Sequence, residues 1–435
     1  MNEQLKFKKA TYHLWTFIVS KFISSFGAQV YAFAASFYIL QVTGSATNFA
    51  LNLLCNVLPR TIAAPFAGYV ADRFSRKKVV IISHIATVLT IISLITISLT
   101  IGFSITTIYI ATAIFSLTST FSGLAFTSSI SGLIDSDRIQ KAMSLNQMVV
   151  SIASIASPAV GGILYGFVSI TVLLAIYLVA MIIALSLEST MQFNLFINLK
   201  ENVAGKEQGS MWQSMKEGFA YVKGKSVIMA IISIALVINF FVGAFQVGYS
   251  FILIDNLHMS SEHFGIVESS FAVGMLIMSV YLSIRKELVY PLVYAKRGIL
   301  LLGIILAIYS LPLLVKIPYM GMFSFYMILM FLLGAIIMFI NTPINVMMQK
   351  QIDDAYKGRV FSIMETSAQA LIPLGTILFG FLYDTLPAPW IMGISAILLI
   401  VSVLYLARPF VLHKAHPEWG ERRKNMSGFK QKDTG

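Results

Sequence analysis

"LIDSDRIQKAMSLNQ" occupies residues 133–147, and "QIDDAYKGRVFSIME" occupies residues 351–365. The two align at a constant offset of 218 residues: Ile134 with Ile352, Asp135 with Asp353, Lys141 with Arg359, Ser144 with Ser362. The register persists downstream, where Gly162 meets Gly380 and Tyr165 meets Tyr383. A weaker match at offset 215 pairs "SATNFA" (45–50) with "SSEHFG" (260–265). Any single identity can arise by chance. A register held over about thirty residues marks an internal repeat, so the chain divides into two related halves.

Composition says what the halves are made of. The 435 residues are 57% hydrophobic and only 11% charged, with mean hydropathy +0.81. A soluble chain carries about 25% charged residues. The apolar runs are long enough to cross a bilayer as helices, which takes roughly 20 residues each. Twelve spans are predicted: 14–40, 46–70, 79–100, 105–132, 142–167, 170–188, 226–254, 263–284, 298–315, 319–346, 360–383 and 389–407. The first apolar stretch follows "MNEQLKFKKATYHLW" and runs to about Leu40, too long for a cleavable signal segment. The expected organisation is a six-helix bundle at 1–188, a middle loop with an interfacial helix at 189–225, a second bundle at 226–407 and a tail at 408–435. Of the 31 Lys and Arg, 28 fall at ends and loops of one side. Positive loops stay in the cytoplasm, so both termini are expected there. The net charge of +12 then reflects topology and anionic headgroups, not nucleic acid. Paired six-helix repeats are a signature of secondary transporters, with the substrate site near the midplane.

Several chemistries are excluded by spacing. "GFAYVKGKS" (218–226) puts five residues, not four, between Gly218 and Gly224, so it is no P-loop. The one cysteine, Cys55, forms no internal disulfide. His13, His84, His258, His263, His413 and His416 lack zinc-binding spacings, so neither metal nor cofactor is expected. Charges inside spans are costly and mark function by default. Of 19 acidic residues, Glu268 and Glu365 lie inside spans, while Glu188 and Asp255 are expected at helix ends that water reaches. Either buried glutamate suits a proton carrier or a substrate contact, and Glu365 alternatively locks onto Arg359. Arg60 sits mid-span after Pro59, as a substrate or coupling contact or an interhelical tie. Lys21 is expected to snorkel outward.

"GYVADRFSRKKV" (68–79) carries five charges between two apolar spans. Its Gly68, Asp72, Arg73, Arg76 and Lys77 resemble the loop motif G-x-x-x-D-R-x-G-R-K of the major facilitator superfamily, with Ser75 in place of a glycine. "SPAVGG" (157–162) resembles that family's antiporter motif through Pro158, Gly161 and Gly162, with Ser157 in place of the first glycine. The stretches 341–369 and 23–46 resemble the macrolide-efflux-like exporters. The resemblance implies an all-α fold of 12 transmembrane helices in two pseudo-symmetric six-helix bundles. It implies that Asp72 latches the halves by contact with a helix N-terminus, worth roughly 0.3–1 kcal/mol, while the bases bind lipid headgroups. It implies a cavity lined by spans 1, 4, 7 and 10, to which Gln29, Tyr31, Asn239 and Gln246 belong. Gln369 is expected on the polar face of span 11, with Glu365. The function expected is proton-coupled export of a bulky amphipathic compound, macrolide-like or another xenobiotic, by a monomer in the bacterial plasma membrane. Siderophore or lipid export, or uptake by symport, are the alternatives. A non-transporting sensor is disfavoured, because a 28-residue tail is too short for a signalling domain. No enzymatic activity is expected.

Overall fold

The structure is a computed structural model that describes residues 3–135, 138–193, 195–196, 211–352, 360, 363–364, 366–367 and 371–409. Thirteen main helices are named here: α1 (Glu3–Thr43), α2 (Ala46–Arg73), α3 (Arg76–Thr100), α4 (Ile105–Ser128), α5 (Ile139–Phe167), α6 (Ile170–Ser189), α7 (Met211–Gly224), α8 (Ser226–Phe251), α9 (Ser261–Ile284), α10 (Pro291–Ile308), α11 (Tyr319–Gln351), α12 (Ile372–Thr385) and α13 (Ala388–Leu406). Among the described residues there is no strand. Among the described residues ten helices are long and apolar enough to cross a membrane. The expected second span is the 28-residue helix α2, which is more polar than those ten. The expected eleventh span is described continuously only from residue 371, and its helix α12 has 14 residues. Residues Met211–Gly224 form helix α7, and Val222 is buried in a cluster with Ile228, Ile231 and Met348.

Contacts gather the chain into two compact units. One comprises Met1–Gly205 with Leu253–Ser269, the other Lys206–Ile252 with Ser270–Gly435. In the first, α1 packs on α5 and α6, α2 on α4, and α3 on α4 and α6. The turn from α1 to α2 is tight. Gly44 takes φ +58°, a left-handed conformation open to glycine, and the Ser45 side chain then caps α2 by accepting from the Asn48 N–H at 3.2 Å.

The α2–α4 seam is polar. Asn48, Asn52 and Asn56 recur every fourth residue, so they share one helix face. Tyr109 donates to the Asn48 carbonyl at 2.9 Å, Thr112 donates to Asn52 Oδ1 at 2.9 Å, and Ser116 donates to the Asn56 carbonyl. Such bonds between helices stabilise packing where lipid offers no hydrophobic drive.

In the second unit α8 packs on α12 and α13, and α10 on α11 and α13. Here α9 meets α11 by close approach. A Cβ on Gly274 of α9 would run into the Phe331 carbonyl oxygen of α11, and one on Gly334 of α11 into that of Phe271. The two backbones are therefore in contact at a reciprocal glycine crossing.

This crossing separates two glycine substitutions. Gly334→Ala should destabilise the folded protein by about 1–3 kcal/mol, because backbone cannot yield as a side chain can. Gly123→Ala on α4, where a Cβ meets nothing within 4 Å, should be neutral or stabilising by about 0.5–1 kcal/mol. Thermal unfolding of the purified variants in detergent reads the difference.

Candidate functional site

The charged loop is built into its unit by two of its bases. Arg76 opens α3 and donates from Nη1 to the Ser128 carbonyl at 2.7 Å, at the end of α4. Lys77 donates from Nζ to the carbonyls of Ser189 and Met191 at 2.6 and 3.0 Å, at the end of α6. A helix leaves its last carbonyls unpaired and partly negative, so a cation there satisfies both needs. Arg73 instead turns back along α2 to the Tyr69 hydroxyl and ring. Gly68 faces open space. Asp72 closes the last turn of α2, and its side chain lies outside the described residues.

The glycine motif of α5 works by contact. A Cβ on Gly162 would strike the Ser261 carbonyl oxygen, and one on Gly265 that of Pro158. Gly161 lies against the Phe33 ring. Pro158 sits inside α5, and the neighbouring Ala159 N–H is taken by Ser269 Oγ at 3.1 Å. Motif residues and the first turns of α9 thus form one seam within the first unit. Glu268 lies in that part of α9 and is half-buried.

Other expected site residues scatter. Arg60 is exposed on α2 and makes no hydrogen bond or ion pair with the described residues. Gln29 is half-buried, and Gln246 is exposed. Asn239 is tied to its own helix, donating to the Ala235 carbonyl at 2.9 Å. Tyr31 belongs to the core, 4% exposed, edge-on to Phe115 and stacked with Tyr177. Glu365, Gln369 and Arg359 lie outside the described residues. Among the described residues no group of three His, Cys, Asp or Glu could hold a metal.

One expectation is overturned. Glu188 is not at a water-reached end; it is fully buried. Its Oε2 lies 2.6 Å from His84 Nδ1. The Lys77 contacts set the start of α3 beside the end of α6, so these helices run antiparallel. Helical side chains lean toward their own N-terminus. Glu188 therefore leans from the last turn of α6 back into the bundle, and His84 leans to meet it. Beside them is a cavity of about 70 Å³, large enough for water. Lys21 of α1, His84 and Thr87 of α3, Ser119 and Ser122 of α4, and Tyr177 of α6 line it. Lys21 does not begin a span, because α1 starts far earlier, at Glu3. It stands about 27 Å along the helix and faces this cavity.

The first copy of the repeated segment is anchored by Asp135, which is 8% exposed. Arg138 donates from Nε to Asp135 Oδ1 at 2.7 Å and from Nη1 to Thr11 Oγ1 of α1 at 2.7 Å. The guanidinium holds the Asp135 carboxyl below its usual range, against the opposing effect of burial.

A model of the Major Facilitator Superfamily matches residues 17–371. Macrolide efflux protein A of Streptococcus pyogenes is 24% identical over 414 residues, covering 93% of this chain and 96% of the relative. The uncharacterised transporter YfiS of Bacillus subtilis (strain 168) is 26% identical over 397 residues, covering 90% of each. Among solved structures, a bacterial homologue of the iron transporter ferroportin superposes with TM-score 0.69 at 14% identity, covering 91% of this chain and 98% of that one.

The Asp135 anchor carries a pH signature. A carboxyl with a lowered folded-state pKa stabilises fully above its unfolded value, about 4, and loses that contribution as pH falls through the lower folded value. Asp135→Asn should therefore melt below wild type at pH 7, with the gap closing as pH drops below about 4. Parallel thermal melts across pH check this; a gap that stays constant contradicts it.

Proposed function

This chain belongs to the Major Facilitator Superfamily, and from that premise we propose that it exports a bulky amphipathic compound, macrolide-like or another xenobiotic, in exchange for protons by alternating access. That it is a multi-pass membrane transporter and not an enzyme follows from the family. The observation that carries the finer reading is the alignment with a macrolide efflux protein along 93% of the chain. Three features support it. Long apolar helices with sparse polar groups suit large amphipathic ligands. Glu268, half-buried in a membrane-length helix, is a carboxyl in a place where charge is costly without a role. Arg60, exposed at mid-helix, is the fixed positive charge for a substrate or coupling contact. Both termini are placed in the cytoplasm by the positive loops, in a bacterial plasma membrane, with the protein working as a monomer. Asp72 is kept as the latch residue of the loop motif, and Glu365 as a second carboxyl candidate.

Expression in a macrolide-sensitive bacterium tests the reading. Cells carrying the protein should retain less erythromycin than controls, and a protonophore should abolish the difference. Glu268→Gln should cut the proton-driven efflux rate about tenfold or more at equal membrane abundance. Equal retention with and without the protein contradicts macrolide export and turns the search to siderophores, lipids or uptake substrates.

A further inference from the structure

We propose that the His84–Glu188 pair is a proton-binding site inside the first unit, loaded and unloaded through the hydroxyl-lined cavity it shares with Lys21. The proposal deepens the proton-driven reading and rests on it.

The geometry specifies the chemistry. The imidazole and carboxylate are 2.6 Å apart with side chains 9% and 0% exposed, so they share a hydrogen bond shielded from solvent. Two protonation states fit. In one, a neutral imidazole donates from Nδ1 to the carboxylate, and the pair is an anion. In the other, the pair has taken one proton on Nε2 and is an imidazolium–carboxylate of zero net charge. The step between them moves one proton from cavity water or a hydroxyl onto Nε2, and the reverse step returns it. No other reactant is needed.

Three observations favour a working proton site over a plain tie between α3 and α6. First, Glu188 Oε1 is buried and has no hydrogen-bond partner among the described residues. A half-satisfied buried carboxylate is costly, and a structural tie gains nothing from it. Second, His84 lines a cavity with room for water. Thr87 and Thr118, bonded at 2.9 Å, stand with Ser119 and Ser122 along its wall, and hydroxyls both accept and donate protons. Third, Lys21 lines the same cavity and its charge interacts with Glu188. With Lys21 charged, the cluster is neutral before protonation and carries one positive charge after it. At low local dielectric that change is strongly felt, which suits a group whose loading biases a conformational cycle.

The other charged and titratable groups around the pair are few. α1 adds His13, which lies in the field of Lys9 and Lys77. α6 adds Tyr177, stacked on Tyr31. At this level α4 brings only hydroxyls. The bases of α2 and α5 nearest this end, Arg73 and Lys141, are exposed.

Two measurements on the full-length protein test the proposal. The first is the ¹⁵N-histidine NMR titration of wild type in nanodiscs, with His84 assigned by its loss in His84→Gln or, should that variant not fold, His84→Asn. The His84 ring should gain and lose a proton reversibly across the titrated range, and Glu188→Gln should displace that transition. A ring locked in one state across that range overturns the proposal, as does a midpoint indifferent to Glu188→Gln. The second uses proteoliposomes and labelled erythromycin. In His84→Gln the ratio of gradient-driven accumulation to gradient-free counterflow should fall about tenfold or more, whereas a merely structural role lowers both together and overturns the proposal. Should wild type fail to accumulate erythromycin, the macrolide reading is what fails, and the titration decides the proton site alone.

Discussion

Lipid offers no partner to a polar group, and the rest of the structure depends on that constraint. Every N–H, carbonyl and charge inside the bilayer must be satisfied by the protein itself. The helices answer for their own backbones, leaving their ends and their polar side chains to be matched. In the first unit the last carbonyls of α4 and α6 are met by Arg76 and Lys77 from the start of α3. The charged loop is therefore the clasp on the ends of two helices. The asparagine face of α2 is met by Tyr109, Thr112 and Ser116. Against that background Glu188 is conspicuous, since one of its buried oxygens has no hydrogen-bond partner among the described residues.

Two seams solve helix packing differently. α2 and α4 are joined by hydrogen bonds, while α9 and α11 are joined by backbone contact at Gly274 and Gly334. Both solutions substitute for the hydrophobic drive that is absent between helices in lipid. The seam of α5 with the first turns of α9 uses the glycine solution again, at Gly162 and Gly265. A glycine seam is sterically exacting and leaves little room for drift. A hydrogen-bonded seam tolerates shifts as long as partners remain. These are different stiffnesses within one repeat-built chain.

Much of the fold was legible in the sequence, because apolar run length and the bias of Lys and Arg act through single residues and need no knowledge of contacts. The spans 79–100, 105–132 and 170–188, for example, lie close to α3, α4 and α6. Residue roles were less legible. The loop bases were read as topology and lipid contacts, since their partners are backbone carbonyls 52 to 114 residues away, and a carbonyl carries no letter in a sequence. Glu188 looked solvated because it ends a span; the lean of a helical side chain toward its N-terminus carries it inward, a signal that was available but unused. Lys21 looked close to the surface because the apolar run begins near His13, although α1 itself starts at Glu3. His84 was weighed only as a metal ligand, and its partner is over a hundred residues away. Helix periodicity alone does not distinguish two buried faces, so it could not give the ring contacts of Tyr31 with Phe115 and Tyr177.

We propose one account: a transporter whose few acid–base groups inside apolar helices move protons against a substrate. Proton movement by the wild-type protein in sealed proteoliposomes tests this most directly. With no imposed gradient and a pH-sensitive dye inside, erythromycin is added to the outside. The account predicts that drug entering the lumen through molecules oriented for export into it drives protons out, so the lumen turns alkaline in step with drug uptake. Saturable, protein-dependent drug entry with an unchanged internal pH would contradict it.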